Sequence, residues 1–438
     1  MRILFIHQNF PGQFKHLAPT LASDPANEVV AMTINPSPVV EGVRIVRYPV
    51  TRGSTPSIHP WVGEIETKVI RGEAAYNAAI ALRAEGFIPD IIIAHPGWGE
   101  SLFVKEVWPD AKLGIYSEFF YVPQDADVGF DPEFLVEDGT NACRLRMKNV
   151  NNLLHFQIAD AALSPTEWQR SVFPQPFRSK ISVIHDGIDT NAVKPDAQVQ
   201  LKFASGLALS RKDEVITFVN RNLEPYRGYH IFMRALPAIL RARPNAIVLI
   251  VGSDSVSYGA KAPDGKKWRD IFFDEVKDEL DLARVHFLGQ IPYHLFIPLL
   301  QLSTLHVYLT YPFVLSWSML EAMSAGCAIV ASDTRPVQEA IVHDATGRLV
   351  DFFDPAALAD EVIDLLGKPA ERERLGVAAR EFARSHYDLH SVCLPRQLAW
   401  VRALAGASDS ASDSDAGRVL SSDSGALSMP SAAFQNVL

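Results

Sequence analysis

Two arginines and a glutamate stand where they could bind a phosphorylated ligand. Arg221 ends the apolar run VITFVNR, and Arg227 precedes a helical pattern that starts at Gly228. Two guanidinium groups beside a helix N-terminus suit a diphosphate, because arginine binds phosphate oxygens through a planar fork. Glu321 follows a strand pattern and a polar turn, and its carboxylate can accept two hydrogen bonds from a ribose diol. Solvated arginines and a helix-capping glutamate are the alternatives.

These residues are carried by two successive series of short strands. Apolar, β-branched runs alternate with stretches of helical spacing, a pattern typical of βαβ units and a mainly parallel sheet. The first series is RILFI, EVVAMTI, VRIVRYPV, DIIIAH, KLGIYSEFF, AALSP and KISVIHDG; the second is VITFVNR, AIVLIVG, RVHFLGQ, LHVYLTY, AIVASD and RLVDFF. Helical spacing covers residues 65–85 and 144–158, and a polar stretch over 194–212 separates the two series.

The strand pattern predicts an α/β protein with two doubly wound, Rossmann-like domains that face each other across a cleft. In such sheets, ligands bind at the carboxyl ends of the strands. Gly12 lies in the turn after the first strand, where a backbone without a side chain lets a ligand approach a helix N-terminus. A glycine that serves only the turn is the alternative.

Composition is that of a soluble globular protein. Of 438 residues, 48% are hydrophobic and 21% charged, and the net charge of −10 argues against a dedicated nucleic-acid-binding protein. The three cysteines are far apart and predict neither a disulfide framework nor a zinc site. The N-terminal apolar run is too short for a signal peptide and no run suits a membrane span, so we expect a cytoplasmic protein. The Ser/Asp-rich residues 406–438 are predicted to be a disordered tail.

Several segments together resemble glycosyltransferase family 4, a retaining family with the GT-B fold. RNLEPYRG, VHFLGQ and SWSMLEAMSAGCAIVASDTRPVQEAIVHDATGRLV resemble its donor half, and SVIHDGIDT resembles the end of its N-terminal domain. HQNFPGQFKHLAPTLA and ADVGFDPEF resemble a bacterial subgroup. The resemblance implies an acceptor-binding domain over 1–197 and a nucleotide-sugar-binding domain over 198–388. It also implies a final helix over 389–405 that crosses back onto the first domain.

The resemblance implies roles for individual residues of the donor site. Arg221 and Arg227 would hold the diphosphate, although the second position is usually lysine and its spacing is one residue longer here. Glu321 would hold the ribose, and Gly12 would lie in the loop that closes over the phosphates. The segment that lies against the nucleotide base maps to Gln290 and Ile291.

One departure from the family concerns the donor sugar. The first glutamate of the family's E-x7-E motif, which contacts sugar hydroxyls, would stand eight residues before Glu321, and Phe313 occupies that position. The usual glycine-rich run after it is replaced by the letters VLSW. Leu315, Ser316 and Ser318 are therefore the donor-site candidates here, through hydroxyls or backbone amides.

A second departure concerns the acceptor side. Many relatives carry a histidine after the fifth strand of the first domain, facing the reaction centre, and here Glu118 stands near that point beside Tyr121. Glu118 would orient an acceptor hydroxyl or the sugar; an ion pair with Lys148 is the alternative. His95 ends a strand on the cleft side, and Trp98 can stack on a sugar ring. His95, Trp98 and Tyr121 are thus acceptor-binding candidates, with a structural role for His95 as the alternative.

No metal site is predicted. Asp125, Asp127 and Asp131 superficially resemble a calcium loop, but the glutamate of an EF-hand is missing from the twelfth position. A D-x-D motif also binds metal in GT-A glycosyltransferases, whose fold does not match the two-domain pattern. We expect basic side chains and helix dipoles to stabilise a departing diphosphate instead, with no cofactor besides the nucleoside-diphosphate sugar itself.

Together these features predict a retaining, metal-independent glycosyltransferase of bacterial polysaccharide or glycoconjugate biosynthesis. It would move a hexose-type sugar from a nucleoside-diphosphate sugar to a hydroxyl of a saccharide, lipid-linked or other acceptor. The basic residues Arg144, Arg146 and Lys148 would allow weak peripheral contact with a membrane; a solvated helix face is the alternative. Two rival functions remain open: a degenerate nucleotide-binding scaffold whose Phe313 closes the sugar pocket, and a nucleotide-sugar epimerase that needs no acceptor.

Overall fold

Two sheets and one additional strand pair run through the molecule. The computed structural model describes residues 1–135, 139–203 and 206–406. The strands of the first sheet are β1 (Arg2–Ile6), β2 (Glu28–Thr33), β3 (Val43–Arg47), β4 (Ile91–Ala94), β5 (Lys112–Tyr116), β6 (Ala161–Ser164) and β7 (Ile181–Val183). An antiparallel pair follows, β8 (Gln200–Lys202) and β9 (Ala208–Ser210). The strands of the second sheet are β10 (Val215–Asn222), β11 (Ile247–Ser253), β12 (Val285–Gly289), β13 (Leu305–Tyr308), β14 (Ile329–Ser332) and β15 (Arg348–Val350).

Helices connect the strands on both faces. The helices of the first half are α1 (Leu17–Ala22), α2 (Gly63–Ala84), α3 (Val104–Val107), α4 (Asn141–Lys148), α5 (Val150–Ile158), α6 (Glu167–Ser171) and α7 (Gln175–Arg178). Those of the second half are α8 (Tyr229–Ala242), α9 (Trp268–Val276), α10 (Tyr293–Leu302), α11 (Trp317–Ser324), α12 (Arg335–Gln338), α13 (Pro355–Leu366), α14 (Pro369–Tyr387) and α15 (Leu394–Leu404). A π-helical turn, Leu389–Cys393, leads into α15.

Both sheets have a doubly wound order. The first runs β3-β2-β1-β4-β5-β6-β7 and the second β12-β11-β10-β13-β14-β15, with every neighbouring pair parallel. The chain changes direction across each sheet beside its first strand, β1 or β10, and doubly wound folds bind ligands at this switch point. The predicted pair of Rossmann-like α/β domains is confirmed.

Continuous apolar runs form the strands because helices cover both faces of each sheet. All four residues of β4 are buried, and β10 buries every residue except Arg221. An arginine can occupy this strand because it lies at the carboxyl end, beyond the covered part of the sheet. The strand pattern therefore places a guanidinium group at the switch point of the second sheet.

Two segments differ from their predicted form. The stretch over 144–158 was predicted as one helix but divides into α4 and α5 at Asn149. Asn149 Oδ1 accepts a hydrogen bond from the backbone N–H of Tyr121 at 2.9 Å, and Nδ2 donates to the carbonyl of Tyr121 at 2.6 Å. These tertiary bonds fix the break. The polar stretch over 194–212 carries β8 and β9, whose Leu209 packs into the core of the second domain.

The chain leaves the first sheet after β7 and returns to it at its described end. The crossing point is held by Asp388, which accepts a hydrogen bond from the Thr190 hydroxyl at 2.5 Å. Trp400 and Leu404 of α15 then pack into the core of the first domain. A Cβ atom at Gly114 of β5 would lie 2.5 Å from the Trp400 ring, so the helix lies directly against the strand there. The predicted tail lies outside the described residues from 407 onward.

A loop of the first domain reaches across to the second. We call residues 122–135 the arm. Asp131 of the arm accepts a hydrogen bond from the Tyr311 hydroxyl at 2.7 Å, and Glu133 forms an ion pair with Arg234 at 2.7 Å. Both partners belong to the second domain. The arm therefore forms a second connection between the domains, separate from α15.

Candidate active site

A cleft of about 650 Å³ lies between the two domains. Residues predicted from the sequence that line it are Glu118, Arg221, Arg227, Gln290, Ile291, Leu315, Ser316, Ser318 and Glu321. Most of them follow strands of the second sheet, whose carboxyl ends meet at one edge. Gly12, His95, Trp98 and Tyr121 are not among the lining residues.

The two arginines differ in how they are held. Arg227 is only 7% exposed, and its Nη1 donates to Ser316 Oγ at 3.1 Å and to Thr310 Oγ1 at 3.3 Å. Its guanidinium lies 5.7 Å from the centre of the Tyr258 ring. Arg221 is exposed, and within the described chain its guanidinium forms no hydrogen bond or ion pair. Arg227 is therefore preorganised by the protein, whereas Arg221 is free to bind an anion.

Glu321 points into the cleft from inside a helix. It lies in the second turn of α11, so the helix-capping alternative does not describe its position. The Tyr293 hydroxyl donates to Glu321 Oε1 at 2.7 Å. Burial raises the pKa of this carboxyl, while the Tyr293 hydrogen bond and the charge of Lys15 oppose the shift. One carboxylate oxygen is thus left to accept from a ligand.

Glu118 is held by two donors of the first domain. His95 Nδ1 accepts from the backbone N–H of Gly97 at 3.2 Å, so the Nε2–H of the neutral ring donates to Glu118 Oε2, also at 3.2 Å. The Gln13 amide donates to the same oxygen at 3.4 Å. Burial raises the pKa of Glu118 to about 7, and Arg227 partly offsets this shift. The carboxyl can therefore change its protonation state near neutral pH.

His95 does not line the cleft but forms a hydrogen bond with Glu118, which does. It is 3% exposed, and burial lowers its pKa to about 3, so the ring is neutral near pH 7. This position corresponds to the structural alternative for His95 and not to contact with an acceptor. Lys148 forms its ion pair with Glu64 at 3.6 Å, so the alternative pairing of Glu118 with Lys148 is wrong.

Trp98 and Tyr121 flank Glu118 without lining the cleft. Trp98 packs on the His95 ring with centres 4.5 Å apart. Tyr121 packs against Phe119 at 6.4 Å and carries the Lys148 ammonium 4.0 Å from its ring centre. Trp98 thus packs on the histidine that donates to Glu118, and Tyr121 packs against Phe119, the residue next to Glu118.

Gly12 supports this arrangement through His7. The backbone N–H of Asn9 donates to His7 Nδ1 at 3.0 Å, so His7 Nε2–H donates to Gln13 Oε1 at 2.8 Å. This bond orients the Gln13 amide toward Glu118. Gly12 has φ +49°, and a Cβ atom there would lie 2.4 Å from the His7 ring. The position therefore needs glycine for both backbone and space, independently of any ligand.

Replacing Gly12 by alanine is expected to lower the melting temperature. An L-residue in the left-handed region costs about 1–2 kcal/mol, which corresponds to roughly 2–8 °C for domains of this size. The His7 clash adds to this cost. Thermal unfolding measures the shift, with Gly53→Ala as the matched control because nothing lies within 4 Å of its Cβ position. Equal melting temperatures for both variants would contradict the assignment.

Sequence reasoning missed several lining residues. Lys15 comes from the first domain, and its ammonium lies 4.4 Å from the centre of the Trp317 ring. Tyr293 holds Glu321, and Tyr258 contacts Arg227. Asn220, next to Arg221, also lines the cleft. A signal existed for Asn220, which lies near the carboxyl end of β10. The other positions depend on loops whose course the sequence pattern does not specify.

Phe313, at the position of the family's first glutamate, joins an aromatic cluster. Its ring stacks on Phe119 of the first domain with centres 4.7 Å apart and an angle of 11°. Tyr258 meets it at 4.5 Å, edge to face. The side chain is 6% exposed. Aromatic packing between the domains therefore replaces a carboxylate beside the cleft.

Among the described residues, one group brings three metal-ligating atoms within 4.8 Å: Asp131, Glu133 and His230. It lies at the arm and not in the cleft. Asp131 bonds the Tyr311 hydroxyl and lies 3.0 Å from His230 Nε2, while Glu133 pairs with Arg234. The group is used in joining the two domains.

The basic residues of α4 do not form one uncompensated face. Arg144 donates to Asn141 Oδ1 at 2.9 Å, Lys148 pairs with Glu64, and Arg146 is exposed. In the part of the chain that the structure describes, no helix is long and apolar enough to cross a membrane.

Comparison with known proteins gives two family matches. Residues 25–193 match the glycosyl transferase family 4 group, and residues 202–382 match the glycosyl transferases group 1. Spore coat protein SA of Bacillus subtilis (strain 168) is 27% identical over 50% of this chain and 57% of its own length. D-inositol 3-phosphate glycosyltransferase of Nocardia farcinica is 28% identical over 46% of this chain and 43% of its own. The chain spans about half the length of the curated relatives it matches.

Solved structures share the fold over almost the whole chain. Sucrose-phosphate synthase from Thermosynechococcus elongatus has a TM-score of 0.70 at 18% identity, covering 93% of this chain and all of that one. Anabaena Alr3699/HepE, in complex with UDP and glucose, has a TM-score of 0.65 at 15% identity, covering 92% and 99%. Because the two family matches together cover most of the chain, the protein belongs to the glycosyltransferases, through the family 4 group in its first domain and group 1 in its second, and the solved structures show that it shares this fold.

Proposed function

We propose that this protein transfers a sugar from a nucleoside-diphosphate sugar to an acceptor hydroxyl, with retention of the anomeric configuration and without a metal ion. The observation that carries the proposal is the convergence of Arg221, Arg227 and Glu321 on one cleft. Their chemistry matches the successive parts of a nucleoside diphosphate, and Glu118 faces them from the other domain.

The donor would lie along the edge of the second sheet. Arg221 and Arg227 bind the two phosphates, and Glu321 accepts hydrogen bonds from the ribose. Gln290 and Ile291, which directly follow β12, lie against the base. The backbone amides at the start of α11, around Ser318, add hydrogen-bond donors. The solved structure of Anabaena Alr3699/HepE in complex with UDP makes UDP the first nucleotide to test.

The reaction would proceed through departure of the diphosphate and an oxocarbenium-like sugar. Negative charge grows on the leaving phosphate, and both guanidinium groups stabilise it. Arg227 does so without reorganisation, because it is already held by Ser316 and Thr310. Glu118 accepts a hydrogen bond from the attacking acceptor hydroxyl. The acceptor would be a saccharide, lipid-linked or other hydroxyl compound of bacterial polysaccharide or glycoconjugate synthesis.

Thermal unfolding against a panel of nucleoside diphosphates and their sugars tests the proposal. A ligand at one hundred times its Kd stabilises the folded protein by about 2.7 kcal/mol, which raises the melting temperature by several degrees. We expect a shift with one diphosphate and a larger shift with one of its sugars. No shift with any member of the panel would contradict a donor site.

A degenerate scaffold that binds nucleotide without turnover is the second candidate. Phe313 favours it, because its buried ring, stacked on Phe119, stands where the family carries a sugar-binding carboxylate. A shift with a diphosphate, but no further shift with any of its sugars and no transfer to any acceptor, would support the scaffold.

Replacing Glu321 by alanine is expected to weaken nucleotide binding about 10- to 150-fold, because a hydrogen bond to a charged group contributes about 1.5–3 kcal/mol. Isothermal titration with the diphosphate identified above measures the effect. Glu373→Ala, at an exposed position of α14, is the control. If the two variants bound the diphosphate equally well, Glu321 would not contact the nucleotide and would have only a structural role.

A further inference from the structure

A second cavity, of about 440 Å³, lies between the arm and the second domain. Tyr258 lines both this cavity and the cleft, so the two share one side chain. The Tyr258 side chain is 41% exposed, and its hydroxyl makes no hydrogen bond within the described chain. A ligand that extends from the cleft would pass this ring to enter the second cavity. The donor, as placed above, does not use this space.

The cavity is lined by flat aromatic rings and by hydrogen-bonding groups of both kinds. The rings are those of Tyr226, Tyr258, Trp268 and Tyr311. The polar groups are those of Asp127, Asp131, Asn141 and Arg144.

Much of this lining is already fixed in place. The Tyr226 hydroxyl donates to Asp127 Oδ2 at 3.0 Å, and the Tyr226 ring packs against Tyr311 with centres 4.6 Å apart. The Trp268 indole N–H donates to the Ala260 carbonyl at 2.9 Å. Tertiary contacts therefore hold these aromatic side chains before a ligand arrives.

This lining matches a sugar better than other ligands. Aromatic rings cover the C–H faces of a pyranose. The Asp127 carboxylate can accept from its hydroxyls, and the Arg144 N–H groups that do not bond Asn141 can donate to them. Two carboxyl groups and one guanidinium do not favour an anion. The volume lies within the range of ligand pockets, about 300–1,000 Å³, and holds one or two sugar units.

We propose that this cavity binds a sugar unit of an oligosaccharide acceptor, beyond the unit whose hydroxyl reacts at Glu118. The proposal rests on the proposed transferase function, and it names the acceptor class as a saccharide of at least two units. One wall of the site comes from the arm and the other from the second domain. Such an acceptor would therefore contact both domains.

Isothermal titration of the full chain, saturated with UDP, tests the proposal. The probes are the neutral malto-, cello- and chito-oligosaccharides of one to four units. At least one tetrasaccharide is expected to bind at least about tenfold more tightly than its monosaccharide. Arg144→Gln is expected to remove most of that gain, since hydrogen bonds to charged groups contribute about tenfold or more in affinity. Arg146→Gln, two residues away on α4 and exposed, is the matched control and should bind like the wild type.

A second readout locates the sugar in the cavity. Binding of the tetrasaccharide should change the tryptophan fluorescence of the wild type, and Trp268→Phe should lose most of that change. Phenylalanine keeps an aromatic ring beside Phe272, on which Trp268 stacks with centres 5.5 Å apart, so the variant retains its packing.

Each of three outcomes would overturn the proposal. The first is that no tetrasaccharide binds more tightly than its monosaccharide, and the second is that the Arg144→Gln and Arg146→Gln variants bind the tetrasaccharide equally well. The third is that Trp268→Phe keeps the fluorescence response of the wild type. UDP is titrated separately, and the sugars are also titrated without it. Length-dependent sugar binding without binding of any nucleoside diphosphate of the panel would contradict the proposed transferase and support the sugar site. UDP binding without sugar binding would support the proposed transferase and contradict the sugar site.

Discussion

Replacing Arg221 by alanine is expected to lower kcat about 10²- to 10³-fold, the usual cost of removing one hydrogen-bond donor to a developing oxyanion. The guanidinium is exposed near the carboxyl end of β10, and in the proposed reaction it meets charge that grows on the diphosphate. Because it has no hydrogen-bond or ion-pair partner within the described chain, the variant should keep its melting temperature. Initial rates at saturating donor measure the effect once the donor is known.

Arg241→Ala is the matched control for this experiment. Arg241 lies on α8, its side chain is 72% exposed, and its ion pair with Glu279 is 3.5 Å long. Surface pairs of this kind contribute little to stability, so this variant should retain full turnover. If Arg221→Ala also turned over within a few-fold of the wild type, Arg221 would not contact the leaving phosphate.

Replacing Glu118 by glutamine is expected to lower kcat about 10²- to 10⁴-fold, the usual contribution of a positioned acid–base group. In the wild type, kcat/KM for the acceptor should rise with pH through about 7, because burial raises the pKa of Glu118 to about 7 and the ionised carboxylate accepts the proton of the attacking hydroxyl. The variant should lose this acidic limb. A pH–rate profile from pH 5 to 9 measures both effects.

The same pKa shift predicts a change in stability with pH. The folded-state pKa of Glu118 lies above its ordinary value, so the folded state holds the proton more tightly than the unfolded chain. The stability from this group is present below the ordinary pKa and is lost as the pH rises toward about 7. Glu118→Gln should therefore lose less stability than the wild type between pH 5 and 8. If the melting temperatures of the two proteins changed equally with pH, or if the variant kept the acidic limb of its pH–rate profile, the titrating group would be another buried carboxyl, such as Asp186 or Glu100.

The residue pattern alone indicated the doubly wound fold and that the residues proposed to bind the donor lie on one cleft. Buried parallel strands are continuous apolar runs, so they are visible in a single sequence. The residues that follow them must lie at the carboxyl edge of the sheet. Arg221, Arg227 and Glu321 lie at or after the ends of strands of the second domain. Their convergence on one site could therefore be predicted from the sequence.

Only the tertiary structure determined how the first domain completes the site. Glu118 follows a strand and was a candidate, but its partners His95 and Gln13 come from two other loops. Phe313 was recognised as a missing carboxylate, but its stacking on Phe119 depends on how the two domains meet. Contacts between side chains far apart in the chain depend on loop paths and domain packing. These are set by many weak interactions together, and no local pattern of residues records them.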